Sequence, residues 1–319
     1  MPTRLLLLIV LSCATCAFAQ SWPARPVRFI LPNSAGSGPD VVARLAADNL
    51  ERILKQPFIV DNRPGGNFFI AAEAIARANP DGYTIGMGSA TMSSINTNLF
   101  RSMPYDPDRD FEYLGILIDT IWGFIGVHPS MPAKTLPEFI ELAKKSPGKY
   151  TFGVTVAVNG MWTQWVMKRA GVQLTQVDYK QSSQAVQDAL AGRVDAVTNS
   201  FTGYDPFLRD GRLRALAAIT QARHPDWQNL PSITDLFPGT GFDSWIGIIA
   251  PKGVPEEMAQ RMNRAIETVV RDPEFARKAL SVGWSNRDGA KTPRLIYERV
   301  RAERQKWAEI VREAGVKPE

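Results

Sequence analysis

Few residues in this chain are arranged for covalent chemistry. Its two histidines, His128 and His224, are each followed by proline (Pro129, Pro225) and stand far apart, which suits turns better than a metal or acid–base pair. Ser146-Pro147-Gly148-Lys149 matches the S-x-x-K of penicillin-binding enzymes, and Ser94-Ile95-Asn96 matches S-x-N. Lys291-Thr292 runs into Pro293, so the companion K-T-G is missing, and there is no G-x-S-x-G elbow. Ser146 precedes Pro and Gly, where a turn accounts for it. Gly36-Ser37-Gly38, with Asp61 closing the next apolar run, outlines a dinucleotide fingerprint, but Val41 replaces the third glycine. No catalytic residue, cofactor or metal site is expected.

What remains is anion binding. In Val27–Asp40, a short apolar run (Val27–Leu31) ends at Pro32, six small or polar residues follow, and Pro39-Asp40 opens a segment with helical periodicity. Proline suits the first helical position because its missing N–H has no partner there. Strand, small-residue loop and helix N-terminus together offer free N–H groups and a positive dipole end to a carboxylate. A micromolar site needs about −8 kcal/mol, and one helix terminus supplies ~0.3–2 kcal/mol. Several such loops must therefore converge.

The elements that would position them form an exported chain. Arg4, the apolar run Leu5–Leu11 and Ala17-Phe18-Ala19 read as a signal peptide over residues 1–19, cleaved after Ala19, with a mature periplasmic protein starting at Gln20. A lipoprotein acylated at Cys13 or Cys16 is a weaker alternative, since Leu11 fits poorly before Ser12-Cys13. Both cysteines lie in that segment, so the mature chain has no disulfide or thiolate site. The formal charge of +5 is dispersed. In the last helix Arg294, Arg299 and Arg304 alternate with Glu298, Glu303 and Glu309, a solvated face and not a nucleic-acid patch.

The mature chain alternates strands and helices, which predicts an α/β fold with mainly parallel sheets flanked by helices. Strands are expected at Val27–Leu31, Phe58–Val60 and Tyr83–Met87. Small-residue loops follow at Asn33–Gly38 and Gly88–Ser94. The apolar stretch Tyr113–Val127 reads as a strand crossing into a second domain. A second α/β unit follows, with strand-end loops at Thr155–Gly160, Lys180–Ser183 and Asn199–Thr202. Thr135-Leu136-Pro137-Glu138 is a capping box, and Met161–Ala170 is a helix closed by Gly171. Trp245–Ala250 returns to the first domain, and helices end the chain, the last over Pro293–Ala314. The expected division is 20–122 plus 248–319 for domain 1 and 123–247 for domain 2. Two such lobes make a hinged cleft, a favoured ligand site.

With these residues in view, the chain resembles a known family, the periplasmic receptors of tripartite tricarboxylate transporters, or Bug proteins. The likeness runs nearly end to end. It is carried by Trp22-Pro23-Ala24-Arg25-Pro26-Val27-Arg28-Phe29-Ile30, Asp61-Asn62-Arg63-Pro64-Gly65, Pro80-Asp81-Gly82-Tyr83-Thr84 and Met103-Pro104-Tyr105-Asp106-Pro107. Val177-Asp178-Tyr179-Lys180, Gly211-Arg212-Leu213-Arg214-Ala215-Leu216-Ala217 and Lys306-Trp307 continue it. The resemblance implies a two-domain periplasmic binding protein that closes on a small carboxylate through backbone N–H groups, with no enzyme activity. It also implies delivery to a two-subunit membrane permease; a monomer that binds no nucleic acid is expected.

Carried over by position, the first-domain contacts would be Asn33, Ser34, Ala35 and Gly36, with Gly88, Ser89, Ala90 and Thr91. Those of the second domain would be Thr155, Val156, Asn159, Trp162, Asn199 and Ser200. The family's first loop usually carries an aromatic and prolines where this chain has Asn33-Ser34-Ala35, and it often has Asp at Asn199, which lowers the expectation of an amino-acid ligand. Trp162 replaces a small or polar residue. With Phe68, Trp122, Phe201 and Tyr204 it suggests an aromatic lining and an aromatic (di)carboxylate ligand such as terephthalate. Ordinary core packing of these rings is the competing explanation, and an aliphatic di- or tricarboxylate the alternative ligand.

Overall fold

The structure is a computed structural model that describes residues 22–318 except 156, 180 and 243. The expected signal peptide with its cleavage after Ala19, the candidate contact Val156 and the loop residue Lys180 lie outside the described residues.

Two five-stranded sheets organise the chain. The first, in the order β2-β1-β3-β11-β4, comprises β1 (Val27–Leu31), β2 (Phe58–Asn62), β3 (Thr84–Ser89), β4 (Phe111–Ile118) and β11 (Ile246–Pro251). The second runs β10-β6-β9-β7-β8, from β6 (Gly123–Val127), β7 (Thr151–Val154), β8 (Thr175–Asp178), β9 (Ala196–Ser200) and β10 (Arg214–Ala218). A two-stranded ribbon pairs β5 (Thr120–Ile121) with β12 (Trp284–Ser285). The expected single strand Tyr113–Val127 is therefore β4, β5 and β6, with a change of sheet after Trp122.

Both sheets are mixed, each with four strands running in one direction, as expected of a mainly parallel sheet, and one strand reversed. β1 pairs in parallel with β2 and β3, whereas β11 pairs antiparallel with β3 and β4. In the second sheet β7 is parallel to β8 and β9, and β6 antiparallel to β9 and β10. The reversed strands are β6 and β11, and each is where the chain enters a sheet from the other lobe, against the direction set by the strand–helix–strand units.

The helices are α1 (Gly38–Leu54), α2 (Phe69–Ala76), α3 (Leu136–Lys144), α4 (Ala157–Arg169), α5 (Ser182–Leu190), α6 (Glu256–Arg271), α7 (Pro273–Ser281) and α8 (Pro293–Ala314), with shorter turns between. Val42, Ala46 and Leu50 of α1 and Met262, Ile266 and Val269 of α6 share one buried cluster with Val27, Phe29 and Leu31 of β1. Arg28, on the solvent face of β1, pairs with Asp61 of β2.

Helix α8 belongs to both lobes. Its first half packs on the first: Tyr297 Oη donates to the Phe111 carbonyl (2.8 Å), Trp245 Nε1 to Glu303 (2.9 Å), and Arg304 Nη1 pairs with Asp108 (2.6 Å). Its second half packs on α4. Trp165 Nε1 donates to Glu313 (2.9 Å), and Phe242 lies edge-on between the rings of Trp162 and Trp307. One buried cluster therefore runs from Ile30 and Tyr113 in the first lobe to Phe152 and Trp162 in the second.

Candidate functional site

Between the lobes lies a cavity of about 640 Å³. Its first-lobe wall begins where β1 ends. Asn33, Gly36, Ser37, Gly38 and Pro39 line it, with Thr91 and Trp284. The loop is fixed from behind by Asp40, which is 3% exposed. The Asp40 carboxylate accepts the Gly36 N–H (2.9 Å), Asn62 Nδ2 (2.9 Å) and Arg44 Nε (3.0 Å), and Asn62 Nδ2 also reaches the Asn33 carbonyl (2.9 Å). Burial pushes the Asp40 pKa up, but the hydrogen bonds from Arg44, the Gly36 amide and Asn62 outweigh it and hold the carboxyl below the ordinary range. The first turn of α1 thus already holds an internal carboxylate, compensated by Arg44. Among the described residues the Gly38 N–H has no protein partner.

Gly38 also sets how closely the lobes approach. A Cβ there would lie 2.7 Å from Thr202 Cγ2 in the second lobe and 3.3 Å from Trp284 Cζ2. Thr202 Oγ1 is itself tied to the first lobe by donating to the Val282 carbonyl.

The second-lobe wall is built from side chains on helices and strand ends. Thr155, Val158 and Asn159 come from the β7–α4 junction, and Asn199 and Ser200 from the end of β9. Val186, Gln187 and Leu190 come from α5, while Tyr204 and Phe207 come from the segment after β9. Ile219, Phe242 and Ser244 complete it. No residue lining the cavity is charged among the described residues. Two lining residues carry buried donors that lack a partner among the described residues, the Tyr204 hydroxyl and the Trp284 indole N–H. Burial pushes Tyr204 up to about 12, so its proton stays on.

Of the residues singled out in the sequence, Asn33, Gly36, Thr91, Thr155, Asn159, Asn199 and Ser200 come together on the cavity. Ser34 and Ala35 sit exposed on the outside of the same loop. Gly88, Ser89 and Ala90 do not line it. The strand-end loop expected at Gly88–Ser94 is absent, because β11 carries the pairing of β3 through to Ser89. Gly88 packs against Ile249, and the fully buried Ala90 gives its N–H to the Trp245 carbonyl. The chain then enters a π turn at Thr91–Ile95.

The expected aromatic lining also changes hands. Trp162 is 1% exposed and donates Nε1 to the Thr240 carbonyl (2.8 Å). Trp122 donates to the Ala222 carbonyl, Phe201 stacks on Trp227, and Phe68 packs against the main core. Only Tyr204 of that set lines the cavity, where Phe207, Phe242 and Trp284 join it. These three carry no spacing signal in the sequence; only the fold assembles them. Gly38 and Pro39 have a signal in the strand–loop–helix pattern itself.

The histidines serve turns. His224 Nδ1 accepts the Asp226 N–H (3.0 Å) and burial lowers its pKa, while His128 Nδ1 lies 2.8 Å from Ser130 Oγ. Among the described residues no group of three metal-ligating side chains occurs, and no helix is long and apolar enough to cross a membrane.

Comparison with known proteins agrees in both sequence and shape. The profile of the family described as "Tripartite tricarboxylate transporter family receptor" matches residues 42–316. A protein of the UPF0065 group from Bordetella bronchiseptica is 30% identical over 302 residues, covering 95% of this chain and 89% of that protein. The solved structure described as R. palustris Rpa4515 with adipate superposes with a TM-score of 0.86 at 30% identity, covering 93% of this chain and all of that one. The periplasmic binding protein BugD gives 0.81 at 26% identity, over 93% of this chain and 99% of its own.

Proposed function

Since the chain belongs to the tripartite tricarboxylate transporter receptor family, a family of periplasmic solute-binding receptors and not of enzymes, we propose that it captures a small carboxylate in the cleft between its lobes and presents it to a membrane transporter. The observation that carries this reading is the cavity itself, walled on both lobes by neutral donors at strand ends and at the start of α1. A carboxylate needs several such donors at once, since one helix terminus falls short of a micromolar affinity.

The contacts in this reading are Asn33, Gly36, Thr91, Thr155, Asn159, Asn199 and Ser200, joined by the Gly38 amide, Tyr204 and Trp284. The moving bodies are 20–122 plus 248–319 and 123–247, a division that the sheet membership of β4, β6 and β11 supports. Export through cleavage after Ala19, a monomeric receptor and a two-subunit permease partner complete the proposal. The finer candidate is an aromatic acid, dicarboxylates of the terephthalate type included, supported by Tyr204, Phe207, Phe242 and Trp284 in the wall. An aliphatic diacid is the second reading, favoured by the adipate bound to the R. palustris relative.

A thermal-shift screen of the mature protein over aliphatic and aromatic mono-, di- and tricarboxylates tests it. A ligand at 100 times its Kd stabilises the fold by about 2.7 kcal/mol, a shift of several degrees. Stabilisation by an acid is expected. Stabilisation by a neutral sugar or a cationic amino acid, and by no acid, overturns the proposal.

A further inference from the structure

The cavity is chemically uneven from end to end. Near the start of α1 it presents main chain and hydroxyl groups: Asn33, Gly36–Gly38 and Thr91. On the second lobe, beside polar groups such as Gln187, it also presents hydrocarbon. Val186 and Leu190 stand one turn apart on α5, with Phe207 alongside. All three rest on the buried cluster of Phe124, Phe201 and Tyr204, yet each remains only half-buried. This is apolar surface that the chain leaves uncovered, and it belongs to the wall of the same cavity that holds the polar end.

Resting on the reading of the cleft as a carboxylate site, we propose that the natural ligand carries a single carboxylate, held at the Asn33–Pro39 end, and an uncharged apolar far end that lies on Val186, Leu190 and Phe207. A second carboxylate reaching that patch would exchange hydration water for a surface that is partly hydrocarbon, offers no counter-charge among the described residues, and has only neutral donors such as Gln187 and the Tyr204 hydroxyl. A methyl group or ring edge in the same place gains by covering the three side chains.

Two matched pairs separate the alternatives by titration calorimetry on the mature protein: hexanoate against adipate, and 4-methylbenzoate against terephthalate. Within each pair the acids differ only by a methyl group in place of the far carboxylate. The methyl member of at least one pair is expected to bind more tightly by about tenfold or more. Leu190→Lys is expected to narrow or reverse that preference by supplying a cation. Phe207→Ser is expected to weaken the methyl members about tenfold, with its melting curve as the check on folding. If the diacids bind as tightly or more tightly in both pairs, or if none of the four binds while other carboxylates do, the inference is overturned and the carboxylate reading stands. If no carboxylate binds at all, the reading beneath it falls.

Discussion

On the first-lobe side of the cleft the surface is mostly main chain and small side chains, with the Trp284 ring the exception, and its loop is held by Asp40, which fixes Gly36 directly and Asn33 through Asn62. On the second-lobe side it is side chains, with Asn159 on α4, Val186 and Leu190 on α5, and Phe207 beyond β9. A main-chain wall can recognise only what every carboxylate shares, because all residues offer the same N–H. A side-chain wall can be rebuilt by substitution without touching the backbone. In the proposed reading, the first lobe supplies most of the grip and the second most of the selectivity.

The largest effect should come from Gly38, where the two walls meet. Gly38→Val would drive a branched side chain against Thr202 Cγ2, already 2.7 Å from a bare Cβ, and should abolish binding while the melting temperature changes little. The companion test is Gly38→Ala with and without Thr202→Ser, which removes that methyl; calorimetry should show the double variant recovering much of the lost affinity. If Gly38→Val binds normally, the walls do not close on each other as described.

Trp162→Ala sharpens the contrast from the other side. Trp162 is core and not lining, so the cost should appear as stability, about 3–5 kcal/mol, in denaturant unfolding. The ranking of aromatic against aliphatic acids should not change. A changed ranking at unchanged stability would return Trp162 to the binding surface.

Asp40→Asn should weaken every acid alike, by about tenfold for the loss of one or two charge-assisted hydrogen bonds. Its stability contribution has a definite pH signature. The folded pKa lies below the ordinary 3.8, so the contribution is complete above that value and is lost as the pH falls through the folded pKa. The stability gap between wild type and variant should stay flat from neutrality to about pH 5 and shrink below pH 4. A gap that widens on acidification would contradict the hydrogen-bond arrangement around Asp40. The smallest effect is expected from Leu236→Ser, an exposed apolar residue away from both walls, with affinity unchanged and stability within about 0.5 kcal/mol.

What can be read from the sequence depends on how local its determinants are. Helix α8 is legible from end to end because Thr292, Pro293 and Gly315 mark its limits by themselves, and Thr292 Oγ1 and the left-handed Gly315 do cap it. The loop at Asn33–Gly38 is legible for the same reason. Thr135 caps α3 as expected, although Glu138 reaches the Lys134 amide and not that of Thr135, one residue off the capping box. The run after β3 misleads because its small residues resemble a loop, whereas β11, far along the chain, decides that Gly88 and Ser89 are strand. Helix α4 begins four residues before its expected start. Buried residues surround it, from Val158, Gly160 and Trp162 to Trp165 and Val166, so it shows no one-sided apolar stripe to betray its first turn. Phe207, Phe242 and Trp284 are invisible as lining, since nothing in their spacing says that two sheets bring them to one cavity.

The double attachment of α8 bears on how the receptor can admit its cargo. With one end bound to Phe111, Asp108 and the turn at Thr91–Ile95, and the other clasping α4 through Glu313, this rod keeps two anchorages at a fixed separation. No residue of the rod lines the cavity among the described residues, so it ties the halves together without standing in the path of the solute.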